Sequence, residues 1–109
     1  MAKIMVIEDE AAIREEVMEC LQFEGHNVSG ASSGRPAIEA IQQDPPDIVL
    51  CDIWMPEMDG YAVLVELRSN PSLAHIPFVF LSASASHEAV RYGMDLGADD
   101  YLTKPFTHA

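Results

Sequence analysis

The sequence predicts an α/β fold in which a parallel sheet is covered by helices on both faces. Short apolar runs alternate along the chain with longer amphipathic segments, as is typical of parallel strands joined by crossover helices. The clearest strand, residues 48–51, is largely β-branched and has no polar alternation, which indicates burial on both faces. Pro56 and Gly60 follow it and prevent the strand from continuing. Asp52 is therefore expected where a buried strand runs into a loop, at the edge where such sheets bind ligands.

Length, net charge and cysteine content limit the kind of protein that this chain can be. A chain of 109 residues is one domain, which we assign to residues 1–109. The formal net charge of -12 argues against direct binding to nucleic acid or to an anionic membrane, because phosphate contacts need Lys and Arg. No signal peptide or membrane-spanning apolar run is present, so we expect a cytoplasmic protein. Cys20 and Cys51 are isolated and are interpreted as buried reduced thiols.

The remaining elements have their own signals. In the first helix Ile13, Val17 and Leu21 recur every fourth residue, and Gly25 ends it. Pro36 is tolerated because it falls in the first turn of the second helix. The predicted strands cover residues 4–7, 27–31, 48–51, 77–81 and 101–103, and the predicted helices cover approximately residues 11–23, 34–43, 60–68 and 87–94.

Polar residues follow directly after several of these strands. Asp9, Asp52, Ser82 and Lys104 each take such a position, which places all four at one edge of a parallel sheet. Together with Glu8, the two aspartates put like charges close together, and a hard divalent ion such as Mg²⁺ (Mn²⁺ is an alternative) relieves their repulsion. Lys104 adds a positive charge and Ser82 a hydroxyl donor. This set predicts a receptacle for a phosphoryl group, with Asp52 as the nucleophile.

Four sequence motifs carry a resemblance to a known family. They are IEDE at residues 7–10, CDIWMPEMDG at 51–60, FLSA at 80–83 and GADDYLTKPF at 97–106. With these motifs in this order, the whole chain resembles the response-regulator receiver domain of two-component signalling. The resemblance implies a flavodoxin-like, doubly wound sheet of five parallel strands in the order 2-1-3-4-5. It also implies a phosphorylation-dependent signalling switch.

The resemblance assigns an acceptor and a metal site. The residue at Asp52 takes a phosphoryl group from the phosphohistidine of a histidine kinase or phosphotransfer protein. Those at Glu8 and Asp9 hold Mg²⁺ with Asp52, and the position of Trp54 contributes a backbone carbonyl. Such a domain is not an enzyme in the ordinary sense, because it catalyses only its own phosphotransfer and slow autodephosphorylation.

The resemblance also assigns the switch. Ser82, Tyr101 and Lys104 contact or respond to the phosphoryl group, and the bond before Pro105 is expected to be cis. Drawing Ser82 toward the phosphoryl oxygens empties space that Tyr101 fills by rotating inward, which reshapes the face formed by the fourth helix and last strand. That face then controls an output domain or effector absent from this chain.

The chain departs from the family pattern in two places. It stops at Ala109, so we expect a receiver domain truncated before or at the fifth helix, with apolar sheet surface left open and association into a homodimer as one consequence. Trp54 is bulkier than expected two places after the acceptor. It is either a partly exposed loop aromatic or a shield that keeps water from the acyl phosphate.

Other interpretations of the same residues stay open at this point. Asp9 precedes a helix and is also a candidate helix cap, and Tyr101 is also a candidate for simple packing. A phosphatase that turns over through an aspartyl phosphate is one rival, although such enzymes have a general acid where this chain has Trp54. A phosphate-independent binding module on the same fold is another, and the combination of acids with Ser82 and Lys104 argues against it.

Overall fold

The computed structural model describes residues 1–82 and 86–103, and these form five strands and four helices in strict alternation. The elements are β1 (Lys3–Ile7), α1 (Ala11–Phe23), β2 (Asn27–Ala31), α2 (Gly34–Gln43), β3 (Ile48–Asp52), α3 (Gly60–Arg68), β4 (Phe78–Ser82), α4 (His87–Asp95) and β5 (Asp100–Thr103). Within the described part of the chain, no helix combines the length and the apolar character needed to cross a membrane.

The five strands form one parallel sheet in the order β2-β1-β3-β4-β5, as predicted. The chain reverses its direction of winding between β1 and β3, which creates a crevice at their carboxyl ends. Strand bounds differ from the predicted ones by one residue in several places. β4, for example, begins at Phe78, because Pro77 has no N–H to donate and contributes only its carbonyl oxygen, which accepts from the Val49 N–H at 2.9 Å.

The sheet separates two apolar clusters, and strand residues alternate between them. The larger cluster lies against α2 and α3 and contains Met5, Ile7, Val49, Phe78 and Phe80 from the strands. Successive residues of a strand point to opposite faces of the sheet. Because an apolar cluster covers each face, the strand sequences are continuously apolar rather than alternating. Each fully buried side chain of this size stabilises the fold by about 1.5–3 kcal/mol.

The smaller cluster lies on the opposite face, where α1 supplies the helical residues Ile13, Val17, Met18 and Leu21. On this face the β4 residues Val79 and Leu81 are buried, and on the described strands the exposed large apolar side chain is Leu102. The open apolar surface expected from the end of the chain stays a prediction.

Arg68, the last residue of α3, holds the amino ends of β4 and β5 together. Its guanidinium donates four hydrogen bonds, to the Ile76 carbonyl at 2.7 Å, to the Gly97 carbonyl at 2.9 and 3.2 Å, and to the Asp99 carboxylate at 3.1 Å. The same Asp99 carboxylate accepts from the Phe78 N–H at 2.8 Å. The third helix is thereby fixed to the beginnings of two strands.

Candidate functional site

Asp52 is the last residue of β3, and its carboxyl group is buried at the carboxyl edge of the sheet. The strand register pairs it with Leu81, so Ser82 comes one residue further along the neighbouring strand. The Asp52 Oδ1 atom accepts a hydrogen bond from the Ile53 N–H at 3.0 Å, which orients the carboxylate. The sequence placed this acid at a strand end, and the structure confirms that position.

Glu8 and Asp9 meet Asp52 at this edge. One carboxylate oxygen from each of the three residues can be chosen so that all lie within 4.8 Å of one another. The pairing of Ile7 with Cys51 explains the proximity, since Glu8 and Asp52 directly follow these two paired residues and Asp9 comes next after Glu8. Glu8 is fully buried and Asp9 is closer to the surface. Three carboxylates at this range form a donor set that fits a hard divalent cation such as Mg²⁺.

Asp9 is not the N-cap residue of α1. That position is taken by Glu10, whose side chain makes no cap hydrogen bond. Glu8 instead arranges the start of the helix, because its Oε2 atom accepts from the Glu10 N–H at 3.2 Å and its carbonyl accepts from the Arg14 guanidinium at 2.8 Å. Asp9 thus belongs to the acidic cluster rather than to a cap.

The loop after Asp52 is folded tightly against the end of β3. The Gly60 N–H donates to the Ile53 carbonyl at 2.8 Å, and a Cβ atom at residue 60 would clash with the Asp52 carbonyl oxygen and approach the Ile53 Cα to 3.0 Å. Glu57 takes a left-handed conformation, with φ of 67°. Only glycine at position 60 allows α3 to begin this close to the end of β3.

Asp59 has a role that the sequence analysis did not identify. It is the N-cap of α3, and its Oδ1 atom accepts from the Ala62 N–H at 2.9 Å. An Asp directly before Gly60 and an apolar helical run is the signal that could have revealed it.

Ser82 and Tyr101 lie on neighbouring strands. Ser82 ends β4 in a buried position, and Tyr101 is partly buried against the larger apolar cluster. The Tyr101 ring stands 6.1 Å from that of Phe80 between centroids. Lys104 and Pro105, which were expected to complete the site, lie outside the described residues.

The Trp54 side chain is largely exposed and belongs to an aromatic cluster. Its ring meets Tyr61 edge-on at 6.1 Å between centroids, and Tyr61 in turn meets Phe80 at 5.2 Å and Tyr92 at 4.7 Å. This arrangement agrees with the partly exposed loop aromatic, while the shielding role stays a prediction. Tyr61 was not singled out from the sequence, although it joins the site loop to α4 by donating its hydroxyl to the Ala89 carbonyl at 3.2 Å.

Cys51 is a buried free thiol next to Asp52, as expected. Burial raises the pKa of this thiol well above its ordinary value, and the negative charges of Asp52, Glu8 and Asp59 raise it further. The thiol stays protonated and acts as a small packing group. Cys20, also free, is only partly buried.

Comparison with known proteins agrees with this geometry. The sequence profile of the response regulator receiver domain matches residues 4–109. The response regulator MprA of Mycolicibacterium vanbaalenii is 41% identical over 104 residues, which are 95% of this chain and 44% of the relative. A probable transcriptional regulator, ycf27 of Guillardia theta, is 38% identical over 96% of this chain and 40% of its own length. The chain thus spans less than half the length of these curated relatives.

Solved structures show the same likeness. The chemotaxis protein CheY4 of Vibrio cholerae superposes with a TM-score of 0.93 at 32% identity, covering 98% of this chain and 89% of CheY4. The receiver domain of Francisella response regulator 1452 superposes with a TM-score of 0.89, also at 32% identity, over 98% of this chain and 87% of that one. With this fold, this acidic edge and a profile match over nearly its full length, the chain belongs to the family of response regulator receiver domains, which are signalling domains rather than metabolic enzymes.

Proposed function

We propose that this domain is a phosphorylation switch in which Asp52 accepts a phosphoryl group from the phosphohistidine of a histidine kinase or phosphotransfer protein. The observation that carries the proposal is the cluster of Glu8, Asp9 and Asp52, three carboxylates within 4.8 Å at the crevice between β1 and β3. An acidic cluster at the ligand-binding edge of a receiver fold is suited to hold a divalent ion beside a nucleophilic carboxylate.

The transfer step moves one phosphoryl group between two side chains. A carboxylate oxygen of Asp52 attacks phosphorus and forms a P–O bond, while the P–N bond to the donor imidazole breaks and that ring takes up a proton from solvent water. The Ile53 N–H orients the attacking carboxylate by its bond to Oδ1. A bound Mg²⁺, held by Glu8, Asp9, Asp52 and the backbone carbonyl of Trp54, would offset negative charge on the phosphoryl oxygens.

The switch step is assigned to Ser82 on β4, Tyr101 on β5 and Lys104, which follows β5 in the sequence. Ser82 donates its hydroxyl to one phosphoryl oxygen, and Lys104 neutralises another. Tyr101 then moves into the space that Ser82 leaves, and the surface of α4 and β5 changes. The pairing of β4 with β5, in which Phe80 lies opposite Tyr101 and Ser82 opposite Thr103, supports this assignment because it brings Ser82 and Tyr101 onto neighbouring strands.

The partners follow from the family and from the length of the relatives. The domain is proposed to regulate an output domain or effector, since the curated relatives are more than twice as long as the matched segment. The cytoplasmic location, the assignment of the whole of residues 1–109 to one receiver domain and homodimer formation stay predictions.

The test is phosphorylation with acetyl phosphate and Mg²⁺, followed by intact mass measurement and location of the modified peptide. Wild type should gain one phosphoryl group on Asp52, and Asp52→Asn should gain none. Asp59→Asn is the matched control, because it removes an acid from the same loop while Asn keeps the helix cap. Retained labelling in Asp52→Asn would reject Asp52 as the acceptor, and steady multiple-turnover release of phosphate from a phosphomonoester would favour a phosphatase instead.

A further inference from the structure

A groove of about 840 Å³ runs between α3 and α4, on the side of the molecule next to the acidic edge. We call it the α3–α4 groove and define it by Trp54, Tyr61, Val65 and Tyr92. Of the seven large apolar side chains that are exposed in the described part of the chain, three lie here: Trp54 at 64%, Tyr92 at 55% and Val65 at 45%. Exposed aromatic and aliphatic side chains grouped along one groove are characteristic of an interaction surface.

The charges along the groove have one sign. Among the described residues that line it, the charged ones are Asp59 and Glu66. Asp59 accepts from the Ala62 N–H, and Glu66 is paired with Arg35 at 2.6 and 3.1 Å. A carboxylate has about four acceptor positions, so both keep capacity for a further donor. A second copy of this chain, with a net charge of -12, would bring negative charge onto negative charge.

Exposed aromatic faces beside carboxylates favour a specific cation. A guanidinium stacks on Trp and Tyr rings and at the same time donates hydrogen bonds to a carboxylate, whereas an ammonium is more strongly hydrated. We propose that the α3–α4 groove is a docking surface for a segment of a partner protein that carries an arginine between apolar side chains. The apolar residues would cover Val65 and Tyr92, and the arginine would lie between the aromatic rings and Asp59.

The groove is connected to the site, and this part of the inference rests on the proposed function. Trp54 follows Asp52 by two residues, and α4 begins shortly after Ser82. The wall formed by α4 is seated closely on the core, because a Cβ atom on Gly93 would approach the Phe80 ring to 2.7 Å. A shift of the chain after Ser82 therefore displaces one wall of the groove, and phosphorylation of Asp52 is expected to change its affinity for the partner segment.

The test uses short synthetic amphipathic peptides of Leu and Phe that contain one Arg, with citrulline or Glu in its place as matched probes. Trp54, the only tryptophan, reports binding by fluorescence, and amide shifts in NMR locate it. We expect the Arg peptide to bind about fivefold more tightly than the citrulline peptide, and the Glu peptide to bind most weakly. Tyr92→Ala should remove the preference. Phe23→Ala, which removes an exposed ring from α1 on the other face of the sheet, should keep it.

Equal binding of the three peptides, or an unchanged preference in Tyr92→Ala, would overturn the docking surface. So would a concentration-dependent dimer in ultracentrifugation that Tyr92→Ala abolishes, because the occupant would then be a second copy. Beryllofluoride with Mg²⁺ separates the two proposals. If acetyl phosphate labels Asp52 but the domain shows no preference for the Arg peptide, the docking surface alone is rejected. If the domain prefers the Arg peptide but is not labelled, and beryllofluoride does not change peptide binding, the proposed function alone is rejected.

Discussion

The two edges of the parallel sheet use charge in opposite ways. At the amino edge, the Arg68 guanidinium is matched by carbonyl oxygens and by the Asp99 carboxylate, and the Asp47 carboxylate accepts from the Lys3 N–H at 2.8 Å. At the carboxyl edge, three carboxylates lie within 4.8 Å of one another. The first arrangement joins elements and stabilises the fold. The second brings like charges together, and we expect their repulsion to cost stability that a bound divalent cation would recover.

The largest effect is expected from crowding the carboxyl edge. Gly60→Ala should destabilise the domain by about 3 kcal/mol, because its Cβ would strike the backbone of Asp52 and Ile53 where neither can retreat. Urea unfolding measures the change. Gly25→Ala is the matched control, since it has no neighbour within 4 Å but has a φ of 91°, and should cost about 1–2 kcal/mol through conformational strain alone. Equal losses in the two variants would show that the edge is not tightly packed.

The amino edge should depend strongly on one cation. Arg68→Met keeps much of the side-chain volume and removes all four hydrogen bonds, so we expect a loss of about 3 kcal/mol in the free energy of unfolding. Arg35→Met removes an exposed guanidinium that is paired with Glu66 and should leave the urea midpoint nearly unchanged. A urea midpoint in Arg68→Met as high as in Arg35→Met would show that the four hydrogen bonds of Arg68 contribute little to stability.

Neutralising one acid at each edge should change stability with opposite signs. Without divalent ions, Asp9→Asn should stabilise the domain by about 1 kcal/mol, since it relieves repulsion within the acidic cluster. Asp99→Asn should destabilise it by about 1 kcal/mol, because its carboxylate accepts from both Arg68 and the Phe78 N–H.

Thermal unfolding with EDTA and with Mg²⁺ checks this pair. Wild type and Asp99→Asn should be stabilised by Mg²⁺ and should show a Mg²⁺-dependent change in Trp54 fluorescence, whereas Asp9→Asn should lose most of both responses. Destabilisation by Asp9→Asn in EDTA would mean that this acid is held by favourable contacts rather than by repulsion.

The smallest effect concerns the Cys51 thiol beside Asp52. The folded-state pKa of Cys51 is raised by burial and then by the nearby acids, so its contribution to stability is complete below the ordinary thiol value of about 8.5. That contribution falls as pH rises above this value, because the unfolded state then releases the proton first. We expect the decline in stability between pH 8 and 10 to be shallower in Cys51→Ala. At pH 8 a disulfide reagent should modify Cys20 in the native state, while modification of Cys51 at the same rate would contradict its protonated, buried state.

Much of the fold could be predicted because the strands are buried on both faces. An apolar run without alternation, such as residues 48–51, has few other structures available to it, and the carboxylate after it marks the edge. The acidic cluster was predictable for the same reason, because Glu8, Asp9 and Asp52 all come at or just after strand ends. Strand bounds were less predictable, since they depend on individual hydrogen bonds such as that from Phe78 to Asp99.

The hydrogen bonds of Arg68 to the starts of β4 and β5, and the α3–α4 groove, could not be predicted in this way. Two of the acceptors of Arg68 are backbone carbonyls, which have no signature in the sequence, and Gly97 is 29 residues away. Tyr61 was equally hidden, because its partners Trp54, Phe80 and Tyr92 come from three different parts of the chain. Contacts of this kind depend on how helices are placed on the sheet rather than on local pattern.

The grip of Arg68 on the Gly97 carbonyl has a consequence for how α4 can move. Its Leu96 end is held by that grip, while the bond from the Gly97 N–H to the Met94 carbonyl at 3.1 Å closes the last turn of the helix itself. Near its Ser86 end, the described contacts of α4 include the hydrogen bond from the Tyr61 hydroxyl to the Ala89 carbonyl at 3.2 Å. We therefore expect any displacement of α4 to be a rotation about its C-terminal end, with little movement at Leu96 and the greatest movement at Ser86.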